Sequence, residues 1–243
     1  MSREFKPRGQ SRRQILAAGA ALAALSTSVR AETVAGKLPW APGAASPPQP
    51  VDPSVWKFFT PEEVSAVEAL VERLIPPDPQ TPGGKEAGCA VFIDAQLAGP
   101  YGAAEGLYMQ GPFAQGTPQQ GLQAQATPAQ TYRAALKSLD TYVRAHFGGK
   151  SFAALASADQ DAVISGLEHS TIVLDGAEGK RFFELLLQNT MEGFFADPLY
   201  GGNRDMVGWK MVGFPGARYD YRDYVERHNQ KLDLAPISIL SRI

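Results

Sequence analysis

Thr60-Pro61-Glu62-Glu63-Val64-Ser65-Ala66-Val67-Glu68-Ala69-Leu70-Val71-Glu72-Arg73-Leu74-Ile75-Pro76-Pro77 decides the fold class. A threonine that can cap, a proline at the first helical position and a glutamate three residues after the cap together write a helix start. Val64, Val67, Leu70, Val71, Leu74 and Ile75 then recur at helical spacing. The two prolines stop the element, because each lacks an amide proton and its ring clashes with the preceding turn.

The same grammar repeats downstream. After a Pro/Gly turn over residues 79–84, Val91, Phe92, Ile93 and Leu97 predict a shorter apolar helix over 87–97. Thr127-Pro128-Ala129-Gln130 is a second capping-box start. It opens a helix whose face is Tyr132, Ala135, Leu136, Leu139, Tyr142, Val143 and Phe147, closed by Gly148-Gly149. Residues 157–160 start a third helix carrying Val163, Ile164 and Leu167, and a fourth runs from about 178 to 195. That fourth helix is apolar nearly all round, which predicts a central position. A short helix is expected near 219–228. With no convincing run of alternating strands and no internal repeat, the expected fold is mainly α: an irregular helical bundle with long loops and an extended N-terminal linker.

Two segments depart from this pattern. Residues 32–55 are rich in Pro, Ala and Ser and read as an extended linker or a strap on a surface. Residues 99–126 are rich in Gly, Gln and Pro, yet contain Tyr101, Leu107, Tyr108, Met109 and Phe113. A stretch of that length without periodicity is either disordered or an arm that orders on a partner, and its aromatic residues favour the arm, with Tyr108 and Phe113 as contacts. The organisation is thus 1–31, 32–55, and one helical domain over 56–243 with a long loop at 99–126.

The N-terminus reads Ser11-Arg12-Arg13-Gln14-Ile15-Leu16, followed by an Ala/Leu run over 17–25 and Val29-Arg30-Ala31. Basic residues, a short apolar run and a small-residue cleavage site at Ala31 describe a signal peptide. The run falls short of the roughly 20 apolar residues a membrane span needs. The paired Arg12 and Arg13 point to the twin-arginine translocase, which exports folded proteins; an ordinary basic leader is the alternative. The expected location is the periplasm.

The formal net charge is −2, but residues 1–31 hold six of the 23 basic residues and one of the 25 acidic ones. The remainder therefore stands near −7. An acidic body argues against nucleic acid and against direct docking on anionic lipid, since both need clustered Lys and Arg. The single Cys89 forms no internal disulfide and no thiolate metal cluster. It reads as a small buried hydrophobe near a helix start, with a reactive thiol or a bond to a partner chain as alternatives.

Motifs for chemistry are missing. There is no Gly-x-Gly-x-x-Gly after a strand, no Cys-x-x-Cys-His and no Gly-x-Ser-x-Gly. His146 and His169 fall near helix C-termini, where an imidazolium suits the dipole, and His228 stands apart. Asp159 and Asp161 sit in a helix first turn. Glu184 and Glu192 lie two turns apart on similar faces, with Asp197 beyond, but no role for them as a catalytic pair is compelling. No catalytic, cofactor-binding or metal-ligating residue is assigned. Residues 200–216 are the most informative: Gly201 and Gly202 allow close backbone approach, Asn203 can bond neighbouring amides, and Tyr200, Trp209, Phe214 and Pro215 supply contact area. A packed C-terminal turn and a partner-docking surface are both expected there.

Phe59-Thr60-Pro61-Glu62-Glu63 through Leu74-Ile75-Pro76, Pro82-Gly83-Gly84-Lys85-Glu86-Ala87-Gly88 and Phe92-Ile93-Asp94 resemble the small subunit (subunit 3) of gluconate 2-dehydrogenase. So do Phe194-Phe195-Ala196-Asp197-Pro198-Leu199-Tyr200-Gly201-Gly202-Asn203, Gly208-Trp209-Lys210 and Gly213-Phe214-Pro215-Gly216. The resemblance spans roughly residues 58–225 and the leader; the Tyr-Gly-Gly-Asn with its Gly-Trp-Lys is its most specific part. It implies a three-subunit, periplasm-facing dehydrogenase held at the inner membrane. Its large subunit is an FAD protein of the glucose–methanol–choline type, and a cytochrome subunit carries haem c. It also implies that the small subunit is non-catalytic, supplies the export signal and stabilises the flavin subunit. A free-standing secreted helical enzyme or ligand-binding protein is the alternative.

Overall fold

The computed structural model describes residues 49–114, 116–117, 125–218 and 220–242. The export signal at Arg12, Arg13 and Ala31, and the linker up to residue 48, lie outside the described residues. Six α-helices occur among those described: α1 (Pro61–Leu74), α2 (Cys89–Leu97), α3 (Pro128–His146), α4 (Ser157–Glu168), α5 (Gly179–Phe195) and α6 (Val207–Val212). Two isolated bridges, Leu174 with Ala177 and Gly216 with Ile237, are the only extended pairings among the described residues. The fold is mainly α.

Both capping boxes form. Glu63 N donates to Thr60 Oγ1 at 3.4 Å while Thr60 N donates to Glu63 Oε2 at 2.9 Å. Gln130 and Thr127 repeat the exchange at 3.3 and 2.9 Å. Each box satisfies two amides that the first turn leaves without partners. α2 begins at Cys89 rather than 87 because Gly88 takes the left-handed conformation, φ +83°, at its N-cap.

α5 is central, touching α1, α2, α3, α4 and α6. Phe182, Phe183, Leu186 and Phe194 enter the core, where Tyr132 meets Phe182 edge-on at 5.4 Å. Its reading as apolar nearly all round needs correction on one side, since Glu184, Gln188, Met191 and Phe195 are exposed. α2 is buried almost throughout, including Asp94, which is 2% exposed. That carboxylate accepts the amides of Lys57, Phe58 and Phe59 at 2.8, 2.9 and 2.8 Å. A buried acid survives because hydrogen-bond donors surround it, and here it fixes where the chain enters α1.

Three further expectations change. The helix expected over 219–228 is reduced to a single 3₁₀ turn, Arg222–Tyr224. Arg222 and Asp223 are exposed and charged and Tyr224 is only half-buried, so no apolar face packs to hold a helix together. Residues 99–107 are ordered by turn hydrogen bonds such as Gly102 N to Gln96 O and Glu105 N to Pro100 O. Asp161 lies beyond the first turn of α4 and pairs with Arg73 of α1 at 2.7 Å.

Candidate partner-docking face

α5 ends with carbonyls that have no partner within the helix. One side chain from the following turn and one from α6 take two of them. Asn203 Nδ2 donates to Ala196 O at 2.8 Å, and Trp209 Nε1 donates to Phe195 O at 2.7 Å. Asn203 Oδ1 meanwhile accepts Gly208 N, 2.8 Å, at the start of α6. Asn203 is fully buried with φ 45° and ψ 43°, a left-handed geometry that asparagine tolerates better than most residues. One asparagine therefore joins the end of α5 to the beginning of α6.

The glycines serve the same joint. A Cβ on Gly202 would run into the Gly193 carbonyl, so α5 and the turn approach backbone to backbone. Gly201, φ +93°, lies against Val91 and Val51, and Val51 N donates to Leu199 O at 3.0 Å. The first described residues thus cross the turn as a strap. Asp197 ties in the C-terminal segment: its carboxylate accepts Leu199 N at 3.0 Å, Ser238 Oγ at 2.7 Å and Ile239 N at 2.8 Å.

The residues expected at an interface therefore divide. Gly202, Asn203 and Trp209 are buried and hold the joint; Gly201 and Pro215 are partly covered; Tyr200 and Phe214 are exposed. Trp209 supports Phe214 edge-on at 5.3 Å. Tyr108 is 80% exposed, and Leu107 and Phe113 are exposed with it. The loop that carries them is tied to α5 at its base. Tyr132 donates to Asn189 Oδ1 at 3.0 Å, and Asn189 Nδ2 donates to Tyr101 Oη at 3.0 Å and to Glu192 Oε2 at 3.1 Å. Ala129 N donates to Gly102 O at 3.1 Å, which closes the two ends of the loop together. Burial pushes the Tyr101 and Tyr132 hydroxyls up from the ordinary phenol value, so both stay protonated.

The sequence offers the 99–126 arm and residues 200–216 as two contact segments for one partner. The structure fastens both to α5, one through Asn189 and the other through its C-terminal carbonyls. Met191 and Phe195 of the same helix, expected from the sequence only as part of its apolar surface, are exposed by 50% and 38%. Their spacing of four along an otherwise core-forming helix was the available signal.

Other groups are engaged locally. His146 Nδ1 lies 2.8 Å from Tyr142 O and His169 Nδ1 2.9 Å from Ser165 O, each on its own helix end. Among the described residues no three of His, Cys, Asp and Glu gather as a metal site. Cys89 is fully buried, and burial pushes its thiol up to about 12. A groove of about 730 Å³ runs between α1, α3 and the turn at Phe152. Leu136, Leu139 and Phe152 at its floor are at most 4% exposed, and Arg133 and Arg144 on its walls are paired with Glu63 and Asp140. No described helix is long and apolar enough to cross a membrane.

No curated protein and no solved structure matches this chain significantly. The sequence profile described as Gluconate 2-dehydrogenase subunit 3 matches residues 61–216, from the first residue of α1 to the glycine that pairs with Ile237. That span takes in all six helices and the joint built on Asn203, and the chain belongs to the gluconate 2-dehydrogenase subunit 3 family.

Proposed function

We infer that this chain is the non-catalytic small subunit of a periplasm-facing, gluconate 2-dehydrogenase-type complex. It supplies the twin-arginine signal with which a folded FAD-containing large subunit is co-exported, and it stabilises that subunit once bound. Family membership over residues 61–216 carries the reading. The leader chemistry of Arg12, Arg13 and Ala31 supports the export role. FAD belongs to the large subunit and haem c to a cytochrome subunit, and this chain joins the inner membrane only through the complex. The substrate is a sugar or sugar acid, chosen by the flavin subunit. Binding to the folded large subunit and not to its unfolded chain stabilises it by mass action.

The test is a tagged pull-down from solubilised membranes, read by flavin absorbance and mass spectrometry. A yellow co-purifying subunit of the glucose–methanol–choline type is expected; a colourless, solitary chain would overturn the complex. Arg12→Lys with Arg13→Lys separates the export role. The large subunit should then stay in the cytoplasm together with this chain, and its undiminished arrival in the periplasm would refute co-export while leaving the complex intact.

A further inference from the structure

The turn after α5 receives both flanks of the chain. Upstream of α1, residues 49–59 form a strap held at two places. Val51 N donates to Leu199 O at 3.0 Å, and the Val51 side chain lies on the backbone of Gly201. Further along, Asp94 takes the amides of Lys57, Phe58 and Phe59. Between these anchors residues 52–55 are exposed, and a cleft of about 400 Å³ opens between Pro53 and Trp56 of the strap and Ala90 and Val91 of α2. The strap is therefore firm at Asp94 and lightly held at Val51. Downstream of α6, residues 220–231 are exposed apart from half-buried Tyr224, and residues 235–239 then return to the body as a clasp. Arg218 Nη2 donates to Ala235 O at 2.9 Å and Ala217 N to Ile237 O at 2.7 Å. Ser238, 4% exposed, donates from Oγ to Asp197 Oδ1 at 2.7 Å, and Ile239 N donates to Asp197 Oδ2 at 2.8 Å.

Both attachments converge on Pro198–Tyr200, a single 3₁₀ turn. So short a turn has little stability of its own. Asp197 caps it: the Oδ1 that accepts Ser238 Oγ also accepts Leu199 N at 3.0 Å, and the carbonyl of Leu199 is the one that takes Val51 N. One line of hydrogen bonds thus runs from Ser238 through Asp197 and Leu199 to Val51. With the clasp in place Asp197 is 8% exposed. With the clasp away, water reaches the carboxylate and competes for it with Leu199 N–H, and the turn that presents Leu199 O loosens.

We propose that strap and clasp are the two halves of one latch: residues 49–52 seat on the turn only when residues 235–239 hold Asp197. The Asp94 anchor is the hinge, so opening lifts the strap ahead of Lys57 and leaves α1 in place, a local opening well below the cost of unfolding the body. The strap is the segment through which residues 1–48 join the body. The use of the latch rests on the co-export reading: the root of the leader is fastened only after residues far downstream have been made and folded.

The test is amide hydrogen exchange on the full chain, resolved to single amides and needing no partner. Ser238→Asp sets a second carboxylate against Asp197 and should free the clasp. Exchange at Ile239 and at Val51 should each rise by about fivefold or more, while the amides of Phe59 and of Leu139 in α3 keep the parent's rates. Val51→Gly takes the side chain off Gly201, and because coupling is reciprocal it should speed exchange at Ile239. Val225→Lys, at a site 60% exposed between the two attachments, should change neither amide. A Val51 amide that keeps its rate while Ile239 speeds up would show that the two flanks are independent and overturn the latch. So would an Ile239 amide still protected in Ser238→Asp, or an equal rise at Phe59 and Leu139, which would be a general loss of stability. The co-export reading is tested separately by the arginine substitutions, and its failure would remove the use at the leader while these exchange rates stand.

Discussion

Asp94→Ala should be among the most damaging substitutions in this chain, although it touches no surface. The carboxylate holds three amides, those of Lys57, Phe58 and Phe59, at 2.8–2.9 Å. Phe59 is 5% exposed, so its N–H would be left without solvent, at a cost of about 1–3 kcal/mol. Lys57 and Phe58 are more accessible and can rehydrate, each losing about 1.5 kcal/mol of charge-assisted hydrogen bonding. The sum is about 5 kcal/mol against a total stability on the order of 10 kcal/mol. Asp94→Asn keeps an oxygen for the two bonds to Oδ1 and turns an NH₂ toward Lys57 N–H, so about 2–3 kcal/mol is expected. Urea unfolding of the full chain, followed by helical circular dichroism, gives both numbers. At a slope of roughly 2–3 kcal/mol per molar, the midpoint should fall by about 2 M for alanine and about 1 M for asparagine. An alanine variant within 1 kcal/mol of the parent, or an asparagine variant as damaged as the alanine one, would refute this account of the buried acid.

Gly202→Ala must displace the Gly193 carbonyl, whereas a Cβ on Gly193 meets only the Phe92 side chain, at 3.0–3.2 Å, which must give by a few tenths of an ångström. Thermal unfolding should show a loss of about 3 kcal/mol for Gly202→Ala and about half that for Gly193→Ala; equal losses would contradict the close backbone approach. Cys89 should resist alkylation at pH 8 in the folded chain and react on unfolding, since burial holds its thiol protonated up to about 12. The folded state therefore keeps a proton that the unfolded thiol, near 9.0, releases, so this stability is complete below pH 9 and falls by about 1.4 kcal/mol per unit as the pH rises toward 12. Tyr101 and Tyr132, also raised by burial, add the same sign above pH 10. Cys89→Ala should flatten the decline between pH 9 and 10, and an unaltered slope would show that the thiol is not its source.

The helices were legible because their signals are local. Thr60 with Glu63 and Thr127 with Gln130 write a cap within four residues, and the apolar faces of α1 and α3 repeat within each turn. A capped, periodic segment needs little from the rest of the chain to declare itself. The six-residue α6 has no such signal. Its N-cap residue, Met206, offers no side-chain acceptor, and it follows residues in the left-handed region, Asn203, Asp205 and Met206. What holds it is the contact with α5 through Gly208 and Trp209, which no local pattern encodes. The interface reading of 200–216 was legible as composition only. Aromatic and glycine residues advertised close contact, but not which of them face inward.

The sequence by itself determined that this chain is helical, where its capped helices begin, that its body is acidic and that it resembles the subunit 3 family. Each of those rests on residues within one turn or on composition. Tertiary structure alone decided that Asn203 and Trp209 close the end of α5, that Asp94 grips residues 57–59 from 35–37 positions away, and that Asp197 ties in Ser238. It also decided that the loop after Tyr101 and the turn after Asp197 are both tied to one helix, and that Met191 and Phe195 on that helix stay exposed. The reason is that a buried polar group is satisfied by whatever donor folding brings to it, and an apolar group is exposed only when the packing around it leaves it uncovered.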